Sequence, residues 1–121
     1  MKFGRSDAFE MLVSPPFTLI SKVVETVADS GIHVAGQDCH SAEKGAHTGD
    51  VGAPMLKDAG CSYVIVGHSE RRTLFGETDA SVNRKIVAAL GAGLCPIACI
   101  GETLDQRERN ETFEVLDRQI R

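Results

Sequence analysis

At 121 residues, with 42% hydrophobic and 25% charged side chains, the chain has the size and balance of one ordinary domain that buries a core. A net charge of −4, with no basic run longer than Arg71-Arg72, excludes the cationic patch that nucleic acid or an anionic membrane surface would require. No apolar stretch approaches the roughly 20 residues that span a bilayer, and Met1-Lys-Phe-Gly-Arg-Ser-Asp7 lacks the apolar core of a secretion signal, so a cytoplasmic chain with small-molecule or protein partners is expected.

In chain order, Glu10-Met-Leu-Val-Ser14 predicts a short strand that stops at Pro15-Pro16, because proline donates no ladder hydrogen bond and restricts its predecessor. A helix follows, with Thr18 as its N-cap, Ile20, Val23, Val24 and Val27 at helical spacing, and Gly31 as its stop. Ile32-His-Val-Ala-Gly-Gln37 predicts a second strand, then a long polar loop to about Asp50 jointed at Gly45 and Gly49, and a short helix over residues 53–59. Ser62-Tyr-Val-Ile-Val-Gly67 is the strand richest in β-branched residues, an apolar run suited to a parallel strand covered on both faces. After a polar segment to Thr78, Val82, Ile86, Ala89 and Leu90 mark a helix ended by Gly91 and Gly93. Cys95-Pro-Ile-Ala-Cys-Ile100 is a fourth strand with its proline near the start, where a missing donor is tolerated. Thr103-x-x-Gln106 reads as a capping box for a single last helix carrying Phe113, Leu116 and Ile120.

The cysteines do not form a metal knuckle. Cys39 and Cys61 stand alone, and Cys95 and Cys99 are separated by Pro-Ile-Ala, so that Cys95, Ile97 and Cys99 share one strand face. Buried reduced thiols are expected, with no metal and no cofactor; a thiol-redox or zinc protein is the weaker alternative.

Four strand-helix units of about 30 residues each imply a parallel sheet with right-handed crossovers. Chemistry in such sheets gathers where strands end and helices begin. Three strand ends carry polar side chains: Gln37-Asp38, Gly67-His68-Ser-Glu70 and Gly101-Glu-Thr103. Counted by twos, His68 falls on the face of Val64 and Val66, which would aim its ring over the inner layer beside the free N–H groups of the turn at Ser69. The positive end of a helix disfavours imidazolium, so a histidine there serves as a neutral hydrogen-bond donor. The alternative is a histidine that only caps its turn.

Tyr63-Val-Ile-Val-Gly-His-Ser-Glu-Arg-Arg-Thr-Leu-Phe-Gly-Glu-Thr-Asp79 resembles the fourth-strand signature of the triosephosphate isomerase family. Ser14-Pro-Pro-Phe17 resembles that family's second strand end and Gly36-Gln-Asp-Cys39 its third. Gly45-Ala-His-Thr-Gly-Asp50 is similar to the tip of its intersubunit loop, and Ala98-Cys-Ile-Gly-Glu-Thr103 to its fifth strand end. The segments keep the family's order from about Glu10 to Arg121; residues 1–8 diverge.

The resemblance implies a partial TIM (β/α)8 barrel, the second through fifth βα units, in a single domain over residues 1–121. It also implies a homodimer and the interconversion of dihydroxyacetone phosphate and D-glyceraldehyde 3-phosphate through an enediolate. His68 matches the electrophile, the neutral imidazole that polarises the substrate oxygen, an arrangement for which this family is itself a reference example. Glu70 matches a supporting carboxylate of the same loop, or else is a first-turn acid favoured by the helix dipole alone. Ser69 matches a supporting position and Cys99 a packing residue beneath the site. Arg71 and Glu77 are of opposite charge and are expected to form an ion pair bracing the loop, one that contributes little if solvated. Thr48 matches the tip residue that reaches into the partner subunit's active site, so that homo-oligomerisation through the loop around residues 45–49 is expected.

A full barrel of this type takes about 250 residues. No stretch here resembles the family's Glu-Pro-Val-Trp segment with the catalytic base, nor its first-strand lysine, its lid or its phosphate loops. The chain by itself is therefore expected to be inactive as an isomerase, and its two open strand edges to favour association. The alternative is a non-catalytic half-barrel module that keeps the scaffold residues for assembly.

Overall fold

The structure is a computed structural model that describes residues 8–121; the divergent segment assigned to residues 1–8 lies, except for Ala8, outside the described residues. Four strands form one sheet in sequence order: β1 (Met11–Val13), β2 (Ile32–Gly36), β3 (Tyr63–Val66) and β4 (Cys95–Ala98). Every pairing is parallel, with Met11 opposite Ile32, Ala35 opposite Tyr63, and Tyr63 opposite Cys95. The helices are α1 (Ile20–Val27), α2 (Ala53–Asp58), α3 (Ser69–Leu74), α4 (Asp79–Gly91), α5 (Leu104–Glu108) and α6 (Thr112–Ile120).

The core lies between one face of the sheet and helices α1, α2 and α4. Val34, Val64 and Val66 from the strands meet Ile20, Leu56, Val82, Ala89 and Leu94, with Cys39 and Cys61 filling the layer. The opposite face is thinly covered: Tyr63 and Ile65 are half-buried while Val64 and Val66 are sealed, and His33 packs edge-on against Tyr63 at 5.4 Å. The expected alternation is thus present, with the helix-facing side as the dry one.

Three expectations are corrected here. Thr18 does not cap α1, because the chain leaving Pro16 turns at once into a 3₁₀ turn over Phe17–Leu19, where the Leu19 N–H donates to the Pro16 carbonyl at 2.9 Å, and α1 starts uncapped after Leu19. The polar segment after β3 holds α3, whose first turn contains Glu70. The single last helix is two, broken at Asn110 in the left-handed region (φ 61°). The Thr103–Gln106 capping box does form, but it starts only the five residues of α5. Finally, Cys95 is exposed and Cys99 half-buried, since both sit on or beyond the edge strand β4. Phe113 and Ile120, the apolar residues named for the last helix, are 85% and 70% exposed.

Gly67 ends β3 in the left-handed region at φ +71°, and a Cβ there would lie 2.9 Å from the Val82 Cγ1 and 3.1 Å from the Arg72 guanidinium. The strand exit needs a residue without a side chain. Replacing Gly67 by Ala should cost about 2 kcal/mol or more, the sum of left-handed strain and the clash with a sealed valine. Urea denaturation checks it, the midpoint falling with an unchanged slope.

Candidate active site

The left-handed Gly67 breaks the count by twos, and this corrects the placement of His68. Its side chain lies with Ile65, from the open face of the sheet, in a cleft of about 500 Å³ whose wall also includes Ser14, Gln37, Glu70 and Phe75. It borders a second hollow of about 290 Å³ as well, with Ser69, Arg72, Cys99 and Glu102. His68 is therefore the residue on which two concavities at the C-terminal rim converge.

His68 is also the N-cap of α3. Its Nδ1 accepts the Glu70 backbone N–H at 3.3 Å. A ring nitrogen that accepts holds no proton, so the neutral ring carries its proton on Nε2 and can donate from there. Capping and donor readings coincide, because the cap is what selects the tautomer. Glu70 places its carboxylate 3.7 Å from the same Nδ1, with 77% of the side chain exposed, in the first turn of α3. Ser69, exposed, lines the smaller hollow and makes no contact that sets the ring.

Arg71 and Glu77 do pair, at 3.3 Å, as part of a larger network. Arg71 Nε also reaches Asp38 Oδ2 at 2.9 Å, and its guanidinium lies 4.5 Å over the Phe75 ring. Lys85 of α4 donates to both Asp38 oxygens, at 2.8 and 3.0 Å, and to Glu77 Oε1. Burial alone would raise the Glu77 carboxyl, but Lys85 and then Arg71 outweigh it and hold the group below the usual glutamate range. A second network ties Arg72 to Asp79 at 2.6 Å, to the Gly67 carbonyl at 2.8 Å and to the Cys99 carbonyl at 3.4 Å, with Arg118 on the far oxygen of Asp79.

Sequence reasoning missed Lys85 and the Arg72–Asp79–Arg118 chain. Lys85 had a signal: it lies in the buried stripe Val82, Lys85, Ala89, where a lone cation implies buried acids opposite it. The thiols of Cys39, Cys61 and Cys99 are not activated. Burial pushes Cys39 up to about 11, with Asp38 adding to the effect, and burial also raises Cys61 and Cys99. Cys99 joins the site through its backbone, donating to the Val66 carbonyl and accepting from Arg72. Thr48 sits in an exposed loop, away from both concavities of its own chain.

Four parallel βα units with a capped histidine and braced charges at the C-terminal rim define a segment of a (β/α)-barrel protein whose site lies at its strand ends. The triosephosphate isomerase family profile matches residues 2–121, so the chain belongs to the triosephosphate isomerase family. It is 57% identical over 111 residues to the triosephosphate isomerase of Geotalea uraniireducens, covering 92% of this chain and 44% of that protein. Over 112 residues it is 54% identical to that of Syntrophotalea carbinolica, covering 93% and 44%. The crystal structure of triosephosphate isomerase from Bartonella henselae superposes with a TM-score of 0.91 at 47% identity, covering 93% of this chain and 47% of that one. The chain thus spans less than half the length of these relatives.

Because folding depresses the Glu77 carboxyl, the stability its ionised form contributes is complete above the ordinary glutamate range and fades as the pH falls through the lower folded value. Glu77→Gln should cost about 3 kcal/mol near neutral pH, toward the lower end for a broken buried pair because Asp38 still faces Lys85. Unfolding followed from pH 7 down to pH 3 should show the gap between variant and parent narrowing on the acid side; a constant gap would contradict the assignment.

Proposed function

We propose that the chain supplies the electrophilic half of a triosephosphate isomerase site. The observation that carries this is the Glu70 N–H bonded to His68 Nδ1, which leaves Nε2–H as a donor at the cleft. Isomerising a ketose phosphate to an aldose phosphate moves a proton between adjacent carbons through an enediolate, so negative charge grows on the substrate oxygens. A fixed neutral N–H stabilises that charge at little reorganisation cost. Glu70 is a positioning group in this reading: its carboxylate stands beside Nδ1, the nitrogen that faces away from the reaction, and so cannot also reach the substrate carbon as the base. The two ion networks hold the loop so that the cap persists.

Proton abstraction needs a base within hydrogen-bond reach. The family's base segment has no counterpart in this sequence, so the other half of the reaction belongs to strands outside these four units. The exposed loop around residues 45–49, with Thr48 at its tip, is the element through which we propose a homodimer, its receiving surface the cleft walled by Phe17, Leu74 and Phe75. A cytoplasmic location for that activity belongs to the same proposal.

Coupled turnover of glyceraldehyde 3-phosphate by the 121-residue chain should show no rate above the enzyme-free control. A chimera carrying this segment in place of its counterpart in the Geotalea uraniireducens relative should turn over. In that chimera His68→Gln should lower kcat by about 10²- to 10³-fold with KM little changed, the loss typical of one transition-state donor. An unimpaired His68→Gln chimera would remove the proposed role.

A further inference from the structure

The side chains to which the isomerase reading gives no role include a compact group on the exposed loop, His40 and Asp50 at its neck and His47 within residues 45–49. We propose that His40, His47 and Asp50 form a binding site for a late first-row divalent cation of the Zn²⁺, Co²⁺ and Ni²⁺ class. One donor atom from each lies within 4.8 Å of the other two. The two imidazoles are neighbours, centroids 4.0 Å apart and planes inclined by 31°, and His40 Nε2 stands 3.7 Å from Asp50 Oδ2. A tetrahedral ion with bonds of about 2.0–2.2 Å separates its donors by roughly 3.4 Å, so the donors need approach one another by little more than an ångström.

The backbone already holds the three carriers together. His40 donates its N–H to the Val51 carbonyl at 2.8 Å and bridges to Gly52, which clamps the neck, while the Asp50 N–H donates to the His47 carbonyl at 3.0 Å. The donors border a small hollow of about 50 Å³ that Glu43 also lines. Two imidazoles and a carboxylate suit a borderline cation and leave positions for water, whereas magnesium and calcium call for oxygen donors throughout. Bound there, the ion would cross-link the two ends of the loop.

Binding carries a definite structural signature. His40 Nδ1 now accepts the Ala42 N–H at 2.9 Å, so the neutral ring has its proton on Nε2. Ligation through Nε2 moves that proton to Nδ1, which then cannot accept, and the Ala42 amide is released to solvent. The cost is one hydrogen bond at a half-exposed amide that water can replace.

The test titrates CoCl₂ into the full chain, followed by visible absorption and by NMR. One Co²⁺ per chain is expected, with line broadening centred on residues 40–52 and a shift at the Ala42 amide. His47→Ala and Asp50→Asn should each weaken binding at least about tenfold, since losing even an outer partner of a ligand costs about 10- to 100-fold. Asp50 and His47 are exposed, so circular dichroism should report an unchanged fold. Broadening centred on Cys95 or Cys99, equal affinity in His47→Ala, or an Ala42 amide that does not move on saturation would each overturn the proposal.

Discussion

The rim depends on four charges that neutralise one another beneath it. Asp38 lies just past β2, Arg71 within α3, Glu77 before α4 and Lys85 on α4; the carboxylates are 13% and 6% exposed and the lysine 11%. Such a cluster is costly to bury and contributes little net stability over an apolar replacement. Its value lies in geometry: removing any member leaves an uncompensated charge, so β2, α3 and α4 are held to one arrangement. His68 gains its orientation from that arrangement. The N-cap bond at 3.3 Å is long and exposed, and by itself would not hold a ring that is 45% exposed.

A second constraint couples packing to chemistry at Gly67. Its left-handed backbone presses against Val82 and accepts Arg72 Nε on its carbonyl. The same residue ends the strand, turns His68 from the helix-facing side to the open side, and anchors the Arg72–Asp79 pair. One glycine therefore sets both the phase of the site histidine and the seat of an ion pair reaching Arg118 on α6.

The strands and α4 were legible because their signals are local: β-branched runs bounded by glycine, and a stripe every three or four residues. The site's ionic frame was only partly legible, since Asp38 and Lys85 are 47 residues apart and meet only through the parallel crossover. The phase of His68 was misread because alternation assumes extended backbone, and Gly67 leaves it. The break at Asn110 was missed because asparagine tolerates the left-handed region without announcing it as glycine does. Family motifs covered the gap that periodicity left, and they did so through residues whose partners lie far along the chain.

The exposure pattern explains how a site can be half present and still well formed. On the helix-facing side the layer is closed, with Val64 at 0% and Leu56 at 1% exposure, so the strand that leads to His68 is packed from within the four units. On the other side, Ile65 and Ile97 pair across β3 and β4 without a sealed layer above them among the described residues. In a (β/α) barrel the catalytic groups come from several different strand ends, each braced by its own neighbouring helices. This chain carries one strand end, at His68, with its cap and the neighbouring ion pairs in place. If His68 is the electrophile, as we propose, its cap and its ionic frame all come from these four units, and the remaining groups of the site would approach from the uncovered face of the sheet.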